Sequence, residues 1–279
     1  MRISAKFITH AYRCAAAALL ACAGFNTAHA ETFDRVAIRV GGFVTRFDTV
    51  IRADEESGER GSEIDFNEEL GLQEHDIIEF VGFEWRPWDR HEFGLNYFEE
   101  TLAGTRQLRR DIVFRDVDFA VNATVHTRFD VDAFEFHYTW WPLMRERWAL
   151  GVRFGYMDYR VLAEMNLLLG EQGETPDVRV SARVVEYIPA PSFGIDVRVT
   201  PAPDWRITAN AGWFEASFKT VSPDIITMRV GTEYLAWENV GLWADFGVNR
   251  MHADVHSSSF DGALKIQEGG LRLGVTWRM

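Results

Sequence analysis

Near the C-terminal end of the chain, His256 and Ser258 stand two residues apart, so an extended strand would place both side chains on one face. A facing strand could bring down Glu268 to orient the imidazole, and the set would then activate a serine hydroxyl for acyl transfer. Ser258 lies within Ser257 to Ser259, however, and solvated loop polarity explains that run better than a nucleophile does. Paired carboxylates for general acid–base work occur at Asp116 and Asp118 and at Asp130 and Asp132, with a His–Asp spacing at His252 and Asp254. Each also fits polar positions at strand ends. His137 follows Glu135 in a row that reads as one polar face, where a hydrogen-bonded structural histidine is expected before a proton relay. No zinc spacing, phosphate-cradling glycine loop or nucleotide motif is present, so neither metal nor cofactor is expected.

What could hold such residues follows from the N-terminus. Arg2, Lys6 and Arg13 precede an apolar stretch from Ala15 to Phe25, and Ala28-His29-Ala30 forms a small-residue cleavage site. Residues 1–30 therefore read as an export signal and residues 31–279 as the mature chain. Leu19-Leu20-Ala21-Cys22 loosely resembles a lipoprotein box that would leave an acylated Cys22, but the Ala-His-Ala site fits the ordinary plan better. Cys14 and Cys22 both lie in the signal, which leaves no mature cysteine for disulfides or thiolate chemistry. Losing three basic residues moves the formal charge from −13 to −16, a poor balance for nucleic-acid binding.

The mature chain lacks helical periodicity and carries period-2 alternation in segments of about ten residues. Short turns at Pro87 to Arg90, Pro142 to Arg147, Thr200 to Asp204 and Ala236 to Asn239 alternate with long connections at 48–75, 104–123, 165–188, 219–224 and 255–262. The acid is concentrated in the first long connection, between Asp54 and Glu69. Short turns at one end and long loops at the other describe a closed up-and-down antiparallel transmembrane β-barrel, all-β, of about ten strands. The expected strands are 35–47, 76–86, 91–103, 124–141, 148–163, 189–199, 205–218, 225–235, 240–254 and 263–278. A further hairpin over Asp111 to Val121 would extend a loop or raise the count to twelve.

Two placements favour a membrane barrel over a soluble sandwich. Phe134, Phe136, Tyr138 and Trp140 alternate with Ala133, Glu135, His137 and Thr139, and Trp148 to Tyr156 repeats the pattern with Ala149, Gly151, Arg153 and Gly155. Trp85, Trp88, Trp140, Trp141, Trp148, Trp205, Trp237 and Trp277 all fall near a short turn or the C-terminus, as expected of an interfacial aromatic belt. The last strand alternates Leu271, Leu273, Val275, Trp277 and Met279 against Arg272, Gly274, Thr276 and Arg278, which resembles the C-terminal signal read by the outer-membrane assembly machinery. Met279 stands where that signal normally has an aromatic residue.

The segments Asp65 to Leu72, Arg86 to Phe98, Arg110 to Phe119 and Glu238 to Leu242 resemble a family of uncharacterised proteobacterial outer-membrane β-barrel proteins. The resemblance spans most of the mature chain and implies the fold but no activity. The His256–Ser258 pair also looks like the His-x-Ser arrangement of barrel lipid A deacylases, and the Asp and His–Asp pairs are of the kind ten-stranded omptin proteases use.

The expected inward face carries Arg39, Glu84, Arg86, Glu92, Glu135, His137, Arg153, Asp196, Arg198, Arg206, Arg229, Glu233, Asp245 and Arg272, seven arginines against six carboxylates. Near-balance suggests a lumen crossed by Arg–carboxylate pairs. Glycines such as Gly41, Gly94, Gly151 and Gly274 share that face, for packing and curvature or, alternatively, a narrow water path. The expected function is a non-enzymatic outer-membrane barrel, structural or surface-active or a narrow channel for small solutes; an outer-leaflet lipid hydrolase is the alternative. Its expected partners are outer-membrane lipid, lipopolysaccharide and the assembly machinery, and no motif encodes an oligomeric state.

Overall fold

The computed structural model describes residues 33–55, 60–72, 75–114, 117–169, 177–217, 219–256 and 261–279. The signal segment lies outside them. Ten long strands form one antiparallel ring: β1 (Val36–Ala53), β3 (His75–Trp88), β4 (His91–Gln107), β7 (Thr124–Met144), β8 (Trp148–Leu169), β9 (Asp177–Ala202), β10 (Trp205–Glu215), β11 (Val221–Trp237), β12 (Val240–His256) and β13 (Asp261–Arg278). β13 closes the ring on β1 from Ala37↔Arg278 to Ala53↔Gly262. Closure pairs backbone groups that an open sheet edge would leave bare, a requirement for any sheet in hydrocarbon. β2 (Glu63–Asp65) pairs with the top of β1, and β5 (Ile112–Phe114) with β6 (Val117–Phe119) makes a separate hairpin, so the Asp111 to Val121 segment extends a loop and does not join the wall.

Several strands run well past their expected ends. β8 continues to Leu169 and β9 begins at Asp177, so most of the expected loop over 165–188 is wall. The reason appears when the faces are followed upward. On β8, Trp148, Phe154 and Tyr156 face out and Ala149, Gly151 and Arg153 face in; above them Arg160 and Glu164 face out while Tyr159, Val161, Ala163 and Met165 are buried inside. β7 changes in the same way, from Trp140, Phe136 and Phe134 outside to Asp132 and Arg128, and from Thr139 and His137 inside to Ala133, Val131 and Phe129. The outward apolar run from Trp148 to Tyr156 rises about 20 Å at ~3.3 Å per residue and ~40° tilt, near the ~25 Å apolar band of membrane barrels. Above that belt the wall has the polarity of a soluble protein, over about 30 Å more of β8 by the same geometry.

The upper interior is filled. Phe66, Leu70 and Leu72, just after β2, and Ile112, Phe114 and Phe119 of the hairpin pack with the inward Ile51, Leu102, Phe129, Val131, Ile266 and Met251 in one apolar cluster. Phe66 meets Phe129 edge-on at 5.7 Å. The hairpin is strapped to the loop by Ser62 N–H donating to Val113 O at 2.9 Å, Val113 N–H donating to Ser62 Oγ at 2.9 Å, and Arg110 donating to both Glu69 oxygens at 2.8 and 3.0 Å.

Candidate functional site

Below the apolar cluster the lumen is braced by charge pairs, most of them between neighbouring strands and one, Arg198–Glu92, between strands three places apart in the ring. Arg198 of β9 donates two parallel bonds to Glu92 of β4, each 3.0 Å, with both side chains almost wholly buried. Arg153 of β8 reaches Asp196 at 2.8 Å and Glu135 at 3.4 Å, Arg272 of β13 reaches Asp245 of β12 at 2.6 Å, and Arg39 of β1 reaches Glu84 of β3 at 3.2 Å. Planar guanidinium groups hold two acceptors in fixed directions, which suits cross-bracing in a narrow space. His137 lies 3.7 Å from Glu135 and is buried. The alternation thus brings together thirteen of the fourteen expected lumen residues; Arg86 sits instead at the turn-end mouth, donating to the Asp34 and Asp89 carbonyls.

The mouth is closed by residues just upstream of the first strand. Phe33 is 5% exposed, meets Trp141 edge-on at 4.8 Å, and lies between the guanidinium groups of Arg86 and Arg198 at 4.7 and 4.8 Å. Asp34 accepts from Arg206 at 2.7 and 3.1 Å and from Arg278 at 3.1 Å. Arg206, 1% exposed, also donates to Glu233 at 3.0 Å. Burial alone would raise the Asp34 pKa, but Arg206 and Arg278 overcome it and hold the carboxyl below its ordinary range. Neither Phe33 nor Asp34 was legible as functional, because their partners lie up to 244 residues away.

Trp141 is therefore a correction. It is 1% exposed and belongs to this seal, not to the interfacial belt, because Trp140 and Trp141 are neighbours on a pleated strand and only one can face out. The other seven expected belt tryptophans are outward and 41–66% exposed. Trp213 marks the upper edge of the belt, and Trp243 points inward against Phe80 at 5.9 Å. The inward glycines serve packing: a side chain on Gly41 or Gly274 would collide with the Trp243 ring, and one on Gly94 with His137. Between seal and apolar cluster remain two adjoining cavities of about 70 and 50 Å³.

The hydrolase set does not assemble. His256 Nδ1 is 2.7 Å from Asp261 Oδ1 at the loop end, whereas Glu268 lines the 70 Å³ cavity seven residues further down β13, about 23 Å along the strand. Ser258 lies outside the described residues, as does Asp116. The protease pairs also part: Asp130 and Asp132 face outward on β7, ion-paired to Arg128 and Arg160, and His252 with Asp254 faces outward on β12, halfway round the ten-membered ring. Among the described residues no cluster of His, Cys, Asp and Glu is arranged to hold a metal ion.

Architecture of this kind has solved counterparts. The outer-membrane protease OmpT of Escherichia coli superposes with a TM-score of 0.60 at 11% identity, over 92% of this chain and 100% of that one. The chain has the fold of an outer-membrane β-barrel. The toluene transporter TodX of P. putida (8% identity, TM-score 0.35, 88% and 91% of the two chains) and the attachment invasion locus protein Ail of Yersinia pestis (7%, 0.34, 87% and 99%) are more distant outer-membrane barrels. No family model and no curated protein matches the sequence.

Proposed function

We propose that the mature chain is a non-enzymatic, non-conducting barrel of the bacterial outer membrane, exported with removal of residues 1–30, that holds a tall β-wall on the cell surface in a structural or adhesive role. The observation that carries this reading is closure at both ends of the lumen, by Phe33, Asp34 and Trp141 below and by the apolar cluster above. A low-conductance channel would need a continuous water path through both closures, and between them the braced charge pairs leave two small cavities. In this reading the tryptophan-rich turns face the periplasm, the outward rows of β7, β8 and β9 meet lipopolysaccharide and solvent, and the outward row from Leu271 to Met279 serves assembly.

With no cysteine in the mature chain, single thiols report orientation cleanly. In intact cells Arg183→Cys, high on β9, is expected to react with a membrane-impermeant maleimide and Glu238→Cys, in a short turn, to stay protected. Vesicles carrying the purified barrel are expected not to swell in small sugars. Labelling at Glu238→Cys in place of Arg183→Cys, or swelling, would overturn the proposal.

A further inference from the structure

At one place the wall is not continuous in hydrogen bonding. The β8–β9 ladder keeps its register from Trp148↔Val199 to Leu167↔Val180. The β9–β10 ladder stops at Phe193↔Trp213, although β10 continues to Glu215 and is paired on its other side as far as Asp224. The cause lies in Pro189 and Pro191. In an antiparallel strand a residue's N–H and C=O point to the same neighbour, and residues two apart point the same way. Since the β8 register passes undisturbed through both prolines, their missing donors fall on the β10 side, where they make β9 an edge.

The 70 Å³ cavity lies directly behind this seam, with only the small Ala190, Ser192 and Gly212 between. Outside it, Trp213 is 55% exposed at the upper edge of the apolar belt, and Tyr187, opposite Arg160, is 61% exposed above it. The cavity has two characters: Phe80, Met157 and Ile225 on one side, and on another three arginines, Arg153, Arg229 and Arg272, beside two carboxylates, Glu135 and Glu268. Arg229 shares the cavity with Glu268 and Glu135 and makes a long contact to Asp245, 3.9 Å, whose carboxylate is already engaged by Arg272 at 2.6 Å; its buried Nε has no hydrogen-bond partner among the described residues.

We infer that the β9–β10 seam above Phe193 is a side entrance into the lumen at the upper margin of the apolar belt, and that the cavity behind it binds a short-chain carboxylate. The carboxylate pairs with Arg229 and the alkyl tail lies on Phe80, Met157 and Ile225. A volume of 70 Å³ takes roughly five water-sized groups, which limits the ligand, carboxylate included, to about four carbons. A ligand that small binds with a Kd of about 1 mM. This goes beyond the proposed surface role: a barrel sealed at top and bottom is a dead-end chamber reached from the side.

The test uses the full mature chain in lipid vesicles, with folding verified by heat-modifiable migration. Ala190→Cys, on the inner wall beside the seam, is expected to react with a small methanethiosulfonate about tenfold faster than Ala149→Cys behind the lower seal. Ser192→Trp, or Pro191→Thr if the tryptophan variant does not fold, is expected to slow Ala190→Cys about tenfold by closing the seam. Butyrate is expected to protect that thiol saturably near 1 mM, and Arg229→Met to abolish the protection. Equal rates at Ala190→Cys and Ala149→Cys, or no response to seam closure, would overturn the entrance. Unsaturable or absent butyrate protection would overturn the ligand, and neither result touches the closed-lumen reading.

Discussion

Substituting Asp34→Ala removes one carboxylate and tests the seal it forms. The Asp34 side chain is 7% exposed and accepts two bonds from Arg206 and one from Arg278, at 2.7 to 3.1 Å. Losing one partner of a buried pair costs about 3–5 kcal/mol. Arg206 retains Glu233 at 3.0 Å, so the lower end applies and a loss of about 3 kcal/mol is expected at pH 7. The pH dependence supplies an independent check. Since the folded pKa lies below the unfolded value of about 3.9, the stabilisation is fully present above pH ~3.9 and disappears as pH falls through the lowered folded pKa. Urea unfolding in vesicles, followed by tryptophan fluorescence, should therefore separate the wild type from Asp34→Ala at pH 7 and narrow that gap as pH falls from ~3.9 through the lowered folded pKa. A difference under about 1 kcal/mol at pH 7, or one that persists unchanged in acid, would refute the cross-bracing role.

Other expectations concern the faces and the lumen. Trp141→Ala should cost about 3–5 kcal/mol in the same unfolding assay, and the outward Trp140→Ala distinctly less; equal losses would contradict the assignment of Trp141 to the seal. Glu92→Ala should destabilise by about 3 kcal/mol, and the double substitution Glu92→Leu with Arg198→Met should recover most of it, since the apolar pair removes the stranded charge. Phe154→Arg, in the belt, should cost about 2–4 kcal/mol, while Asn166→Arg, outward on the same strand above it and opposite His126 and Ser181, should change stability little; similar costs would argue against the inverted polarity. Overexpressing the protein is expected to leave outer-membrane lipid A unchanged by mass spectrometry, whereas a modified lipid abolished by Ser258→Ala would restore the hydrolase reading.

The ring itself was legible because a pleated strand exports its environment at period 2, and Phe134 to Trp140 and Trp148 to Tyr156 show that period without interruption. The inverted upper half was less so. Inside and outside exchange character there, yet the period persists, and the only mark is a phase slip of the apolar set from even to odd positions across Tyr156, Met157 and Tyr159. Read locally, that slip resembles the end of a strand, which is why 165–188 passed for a loop. Pro189 and Pro191, at the start of the expected strand over 189–199, lie well inside β9 on its unpaired side. The lumen arginines could be listed from parity, but their partners could not: Arg198–Glu92 and Arg206–Asp34 join residues 106 and 172 positions apart. Periodicity fixes a residue's face and says nothing of which side chain it meets across the barrel.

Single-channel recording of the purified mature barrel in a planar bilayer tests the closed lumen most directly. The wild type is expected to be electrically silent at moderate voltage, and to remain silent when Phe33 and Asp34 are replaced by alanine, because the apolar cluster above still closes the path. Discrete, voltage-stable conductance steps from the wild-type barrel would contradict the account.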